Sequence, residues 1–309
     1  SPVAGSAPRA SAVDAAILAG ASVNNPYNVL VSAGVYIEDP FTVPAGVIVS
    51  SESSVGDGVI VIANNPAADL VTMTGGILHG LLFEGVTDPV RALIRVAAGG
   101  LNRIWACRWR RCSTGVAVSG AATILGMINC GISILAPGQH VTTGLLVSAG
   151  AHVGVANFSA LVPPAIAAIY APANAIDAVF SVTAAFIEVA SSSFNVKGAT
   201  PTQTGFLADD GAQCDLVGVE ISNCKLGLVV GSVGVGTDIR MIGSAMAGNT
   251  TNVTISSATG SLLFGNISID ADTRNIVPGG SFTGNFLNHT TGSSTAIGEQ
   301  FFEWTAGQD

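Results

Sequence analysis

The sequence predicts a single all-β domain wound as a parallel β-solenoid, and three observations predict it. The chain is apolar and rich in glycine: hydrophobic residues make up 49% of it, glycine occurs 38 times and charged residues are only 10%, against about 25% in ordinary soluble domains. A segment built on a Thr-Gly pair returns along the chain at coil-sized intervals. The residues before each return also recur, as in CRWRRC at 107–112, where three arginines crowd into a chain of formal net charge -9.

The repeat carries most of the argument, because self-similarity at a period of 20–50 residues marks stacked units. TGVAVSGA from Thr114 returns as TGLLVSAGA from Thr143, as TGFLADDGA from Thr204, and more loosely as LGLVVG from Leu226. Gly115, Gly144, Gly205 and Gly227 are 29, 61 and 22 residues apart. If two coils fill the middle gap, the period is 22 to about 31 residues, a solenoid repeat. Trp109-Arg110-Arg111-Cys112 aligns with Ile221-Ser222-Asn223-Cys224, and Ile128-Asn129-Cys130 reads as a third copy. CRWRRC is then one strand of a coil: alternation turns Cys107 and Trp109 inward and Arg108 and Arg110 outward. Cys112, Cys130 and Cys224 are expected at equivalent inward positions.

Composition excludes several classes. Residues 113–176 hold no Asp, Glu, Lys or Arg, yet Gly, Pro, Ser, Thr and Asn interrupt them too often for the ~18 apolar residues of a spanning helix. A spanning barrel needs regular alternating strands with aromatic girdles, and only 6% of the chain is aromatic; no membrane insertion is expected. SPVAGSAPRA at the start lacks the charged region and apolar core of a signal peptide. Five cysteines without a C-x-x-C pair argue against a zinc site and a full disulfide framework, leaving buried thiols that act as small hydrophobes.

The first fifty residues add a resemblance. An apolar helix over 13–18 is followed by NVLVSAGVYIE from Asn28 and FTVPAGVIV from Phe41. This resembles the entry of right-handed parallel β-helices of the pectin lyase-like superfamily, where a capping helix leads into V-x-V-P-x-G motifs; Ser32 and Ser51 stand in for a usual Pro and Gly. The resemblance implies a capping helix and arm over 1–27, a right-handed β-helix over 28–274 and a cap or tail over 275–309. It says little about activity.

Polysaccharide lyases and hydrolases belong to that superfamily, so paired carboxylates are the first catalytic candidates; glycoside hydrolysis needs two, ~5–9.5 Å apart. Asp209 and Asp210, with Glu220 or Asp215 one coil later, form the alternative catalytic set, the competing reading being a turn at Asp-Asp-Gly. The Gly-His-Gly and Arg-x-Lys elements of polygalacturonases are missing, so no catalytic residue is assigned. His79, His140, His152 and His289 lack metal-ligand spacing, Gly231, Gly234 and Gly236 lack a surrounding βαβ unit, and neither a metal nor a cofactor is expected. Five N-x-S/T sequons, from Asn157, Asn249, Asn252, Asn266 and Asn288, follow from an Asn/Ser/Thr-rich solenoid.

Arg91, Arg95, Arg103, Arg108, Arg110 and Arg111 are six of eleven basic residues. An acidic chain with its basic residues in one coil is not a nucleic-acid binder. The cluster is expected to clamp a glycan or an acidic partner, or to pair with neighbouring subunits, against a plain solvated basic ring. The uncharged stretch, with the resemblance, implies a non-enzymatic structural or receptor-binding protein of a bacteriophage particle: a tail spike, fibre or head decoration in the virion. Its partners would be copies of itself, a trimer favoured, and other virion proteins or a surface glycan. A secreted or virion-borne polysaccharide-degrading enzyme is the alternative, and a bacterial surface adhesin a weaker one.

Overall fold

The computed structural model describes residues 17, 19–52, 58–97, 100–163, 165, 175–194, 202–231, 236–255, 260–265, 267–269, 274–278, 282–287, 289–291, 296–297 and 300–304, the last part by backbone alone. Each coil lays one strand on each of three faces in turn. The first face is a twelve-stranded sheet running from Tyr27–Val31 to Gln300–Trp304. The second is a six-stranded sheet from Gly34–Glu38 to Ser159–Leu161, continued by a five-stranded sheet from Glu220–Ser222 to Ala296–Ile297; single bridges at Ser193 join the two. The third is a ten-stranded sheet from Phe41–Pro44 to Arg274–Pro278. Of the expected capping helix, only Ile17 lies within the described residues.

Pairing between coils is parallel and in register until the last strands, where Ala296–Ile297 pairs antiparallel with His289–Thr291 and Gln300–Trp304 with Phe282–Leu287. A stacked strand cannot hide its inward side chains alone, so it hides them against the coils above and below and the faces opposite. Val49, Leu78, Ile104, Met127, Val155, Val189, Leu216 and Met241 form one such inward row, all buried. Corners between the first and second faces need a left-handed residue, which Ala106, Asn129, Asn157 and Ser191 supply at φ of 47 to 57°. Asparagine tolerates that region better than most residues.

The Thr-Gly repeat now has a physical cause. Gly115, Gly144, Gly205 and Gly227 lie in one third-face row, with Val179 in the coil the sequence spacing leaves open. Three of these glycines receive a bulky side chain reaching across the narrow lumen, and Gly227 faces the Asn252 carbonyl and the Asn249 amide. A Cβ on Gly115 would fall on the Trp109 indole, one on Gly144 would lie 2.6 Å from Ile132 Cδ1, and one on Gly205 would lie 2.5 Å from Ile221 Cγ2. Where the row carries Val179 instead, the second-face residue of that coil shrinks to Ala160. Interiors are close-packed, so volume gained at one position must be given back at its neighbour.

Trp109 is fully buried, as alternation predicts. It stacks below Phe83 and above Ile132 and meets Phe158 at 5.6 Å between ring centroids. Its Nε1–H has no acceptor among the described residues. All five cysteines are free and buried. Cys112 and Cys224 share a row, through Val141, Ile176 and Thr202. Cys130 departs from the sequence alignment: it follows the corner at Asn129 and stacks on Cys107, on the register Arg108↔Gly131. Asn129 and Asn223 are both left-handed corner residues followed by Cys, so the local pattern is the same at two different corners. Asn249 and Asn252 are wholly buried: Asn249 accepts from Cys224 N–H at 2.8 Å and donates to Ile221 O at 2.8 Å. Those two sequons cannot carry a glycan in the folded chain.

Two outcomes test this packing. Gly115→Ala should destabilise the fold by roughly 1–3 kcal/mol through overpacking, and Trp109→Ala by about 3–5 kcal/mol through a cavity. Because the two residues touch, the double variant should melt well above the sum of the losses in a denaturant series; simple additivity would show that they do not share one space. Burial also pushes the thiols up, Cys130 to about 11 and Cys224 to about 12. At pH 8 a thiol reagent should therefore label none of the five in the native protein and all five in guanidinium.

Candidate functional site on the first face

The catalytic alternative drawn from sequence is dispersed by the fold. Asp209 ends the third-face strand Thr202–Asp209, and Asp210 and Gly211 form the corner at φ 48 and 77°. Ala149 and Gly150 make the same corner at φ 54 and 77° without a carboxylate. Glu220 begins a second-face strand, where it accepts from Ser222 Oγ at 2.7 Å and Ser193 Oγ at 3.2 Å. The whole first-face strand Gln213–Val217 separates it from the aspartates.

The arginines are likewise spread over three faces, and most are paired within the chain. Arg95 grips Asp69 with Nε at 2.6 Å and Nη2 at 3.1 Å, and Arg91 lies 3.8 Å from the same carboxylate. Arg110 and Arg111 share Glu84 at 2.7 and 3.2 Å. Arg108 crosses bare Gly131 to donate to Ser159 Oγ at 2.7 Å. Arg103 stands apart on the first face, its guanidinium 5.9 Å from the Trp105 ring centroid.

The outer side of the first face is where unlike chemistry converges. Its central outward row reads Ile48, Ile77, Arg103, Gly126, Gly154, Glu188, Asp215, Arg240 and Leu263. Gly126 and Gly154 leave open space above the backbone, forming the floor of a depression of about 320 Å³ that Ile128, Ala156, Glu188 and Ala190 border. On one flank run Leu101, Ile124, His152, Phe186, Gln213 and Asp238; on the other, His79, Trp105 and Ile128. His152 and Phe186 pack with ring centroids 5.3 Å apart. Beyond Glu188, a second depression of about 290 Å³ holds Phe186, Gln213, Asp215, Asp238 and Arg240. There Arg240 Nη2 donates to Asp215 Oδ2 at 2.8 Å.

The outer first face thus carries two shallow depressions along the coil axis, one floored by bare glycine and bordered by Glu188, the other holding Phe186 and charged groups. A sugar chain suits such a surface: C–H faces pack on rings, and hydroxyls bond to carboxylates, amides and guanidinium. Glu188 and Asp215 are register partners on adjacent strands, ~4.8 Å apart from strand to strand. Among the described residues, no three His, Cys, Asp or Glu side chains converge as a metal-ligand set, and no helix is long and apolar enough to cross a membrane. Sequence reasoning missed Glu188, Arg240, Trp105 and Phe186 as a group. The signal existed, as the first, third and fifth residues of each first-face strand, but using it requires the register of every coil.

No protein-family model matches the sequence, and no curated protein matches it. Among solved structures, the A-module of a mannuronan C-5 epimerase from Azotobacter vinelandii superposes with a TM-score of 0.59 at 13% identity, covering 91% of this chain and 83% of that one. A tailspike capsular polysaccharide depolymerase of an Acinetobacter baumannii bacteriophage gives 0.48 at 10% identity, covering 94% of this chain and 60% of that one. A hyperthermoactive exopolygalacturonase from Thermotoga maritima gives 0.42 at 9%, covering 96% and 89%. The first of these shares the fold and no more. The chain is thus an all-β solenoid, and specifically a right-handed parallel β-helix.

The Asp69 clamp yields a pH prediction. Burial works to raise this pKa, but the bonds from Arg95 and Ala92 N–H, with the charges of Arg95 and Arg91, outweigh it and hold the carboxyl below its usual 3.8. A depressed folded pKa stabilises above the unfolded value and is lost as pH falls through the folded one. Wild type should therefore lose this increment as pH drops below 3.8. Asp69→Asn should already lack it at pH 7, and chemical denaturation of both proteins across that range checks the convergence.

Proposed function

We propose that this chain is a structural or receptor-binding subunit of a bacteriophage particle, a tail spike, fibre or head decoration, working as a homo-oligomer with three copies favoured. The observation that carries the reading is the outer side of the third face. Its outward row Leu146–Ser181–Leu207–Val229 holds no charge over four successive coils, and half-buried Thr143, Ala178 and Leu226 beside it are uncharged too. The uncharged stretch at 113–176 supplies the first part of them. A flat sheet surface of small and aliphatic side chains packs well against a copy of itself, and interface cores are depleted in charge. The outer side of the first face stays open in such an assembly, where it addresses a surface glycan.

A second reading, a polysaccharide-degrading enzyme, draws on one observation: exposed Glu188 stacks beside Asp215, which Arg240 holds as an ion pair. Release of new chain ends from a polysaccharide, abolished by Glu188→Gln, would establish it over the non-enzymatic one.

Assembly is testable directly. Native mass spectrometry at micromolar concentration should show a multiple of the 30.8 kDa chain. Leu146→Asp with Leu207→Asp should give a folded monomer, since both side chains point outward. A wild-type protein that stays monomeric would end the proposal.

A further inference from the structure

Arg103 is out of place in the local logic of this chain. Arg91, Arg95, Arg110, Arg111 and Arg240 each face a carboxylate, and Arg108 a hydroxyl. Arg103 faces no acceptor side chain among the described residues; it lies over the ring of Trp105, itself 37% exposed and braced edge-on by His79. A cation resting on an aromatic ring is oriented without being neutralised. The next acidic residue in its row, Glu188, is three strands along, ~14 Å at strand spacing and beyond the ~8 Å over which charges are felt at physiological salt.

Beside Arg103 the first face opens into a cavity of about 390 Å³. Val23, Pro26, Val47, Ile48, Ile77 and Leu101 line it, with Arg103 as its charged wall. The size fits a ligand group, since small-molecule sites begin at ~300 Å³ and combine apolar walls with few polar anchors. On the opposite side of Arg103 lies Gly126 and the bare floor of the first depression. One cation thus stands between an apolar hole and an open glycine floor, with Trp105 beside it.

We propose that Arg103, Trp105 and this cavity form a subsite for an acidic glycan unit bearing a short apolar substituent, an acyl group. The acid group bonds to the Arg103 guanidinium, the sugar ring packs on Trp105, and the substituent fills the cavity. The rest of the glycan follows the outer first face over Gly126 and Gly154. This inference rests on the glycan-binding reading above and adds the charge and substitution of the glycan.

The test uses the full chain on an immobilised panel of bacterial polysaccharides of known structure, neutral and acidic, each before and after mild-alkali removal of acyl groups. Bound members should be acidic, and acyl removal should weaken them. Arg103→Ala should reduce binding at least about tenfold, the value of one charge-assisted hydrogen bond, and Arg103→Lys should restore part of it. Ile77→Phe, which fills the cavity from an outward position, should weaken binding of acylated members and spare de-acylated ones. All three variants should melt as wild type does. Equal binding of neutral members, or an Arg103→Ala protein that binds as wild type, overturns the subsite while glycan binding stands. Failure to bind any member overturns the glycan-binding reading and the subsite with it.

Discussion

Backbone hydrogen bonds from each coil to the next hold like positions directly above one another, ~4.8 Å apart, over nearly the whole described chain. Because that ladder is parallel and in register, an inward residue meets the same neighbours in every coil: its counterparts above and below, and one side chain reaching across the lumen. The Gly115 row shows how tight the constraint is. Trp109, Ile132 and Ile221 fit because glycine stands opposite, and Val179 fits because Ala160 does. The Thr-Gly repeat is the sequence record of a lumen too narrow for two full side chains.

The same ladder governs charge. Asp69 and Glu84 lie within reach of arginines on the next strand or corner, so both carboxylates are claimed inside the chain by two arginines each. Exposed single ion pairs contribute little, but Arg110 and Glu84 are mostly buried, with side-chain exposures of 16 and 10%. Removing one member would strand the other charge. Most of what looks in sequence like a basic patch is spent on holding coils together, and Arg103 is the one of those six arginines that faces an aromatic ring.

Function in this architecture sits on outward rows. The inward rows are alike from coil to coil because the core demands it; the outward rows differ by face. The third face sets uncharged aliphatic and hydroxyl rows beside Arg95, Asp177, Asp209 and Lys225, the second carries Arg108, Arg110 and Ser159, and the first combines exposed Leu101, Trp105, Ile124 and Ile128 with bare glycines and a charged end. Exposed apolar residues grouped in this way mark contact surfaces. We propose the uncharged rows of the third face for contact with another subunit and the outer side of the first for a chain-like ligand.

Much of the fold was legible in the sequence because stacking forces local patterns to repeat. The Thr-Gly segments, the inward Trp109 and Cys107, the equivalence of Cys112 with Cys224 and the two coils in the 61-residue gap all follow from a period that the eye can count. Cys130 was misaligned because two corners share one signature, a left-handed residue followed by a small inward one, and only the strand register tells them apart. The candidate site was hidden for the same reason. Arg103, Glu188 and Asp215 are separated by 85 and 27 residues in the chain, and nothing local marks them as one row. Periodicity determines which side chains turn inward, since burial is decided within each strand. Which outward side chains become neighbours depends on the length of every intervening coil, and that is settled only when the coils close on one another.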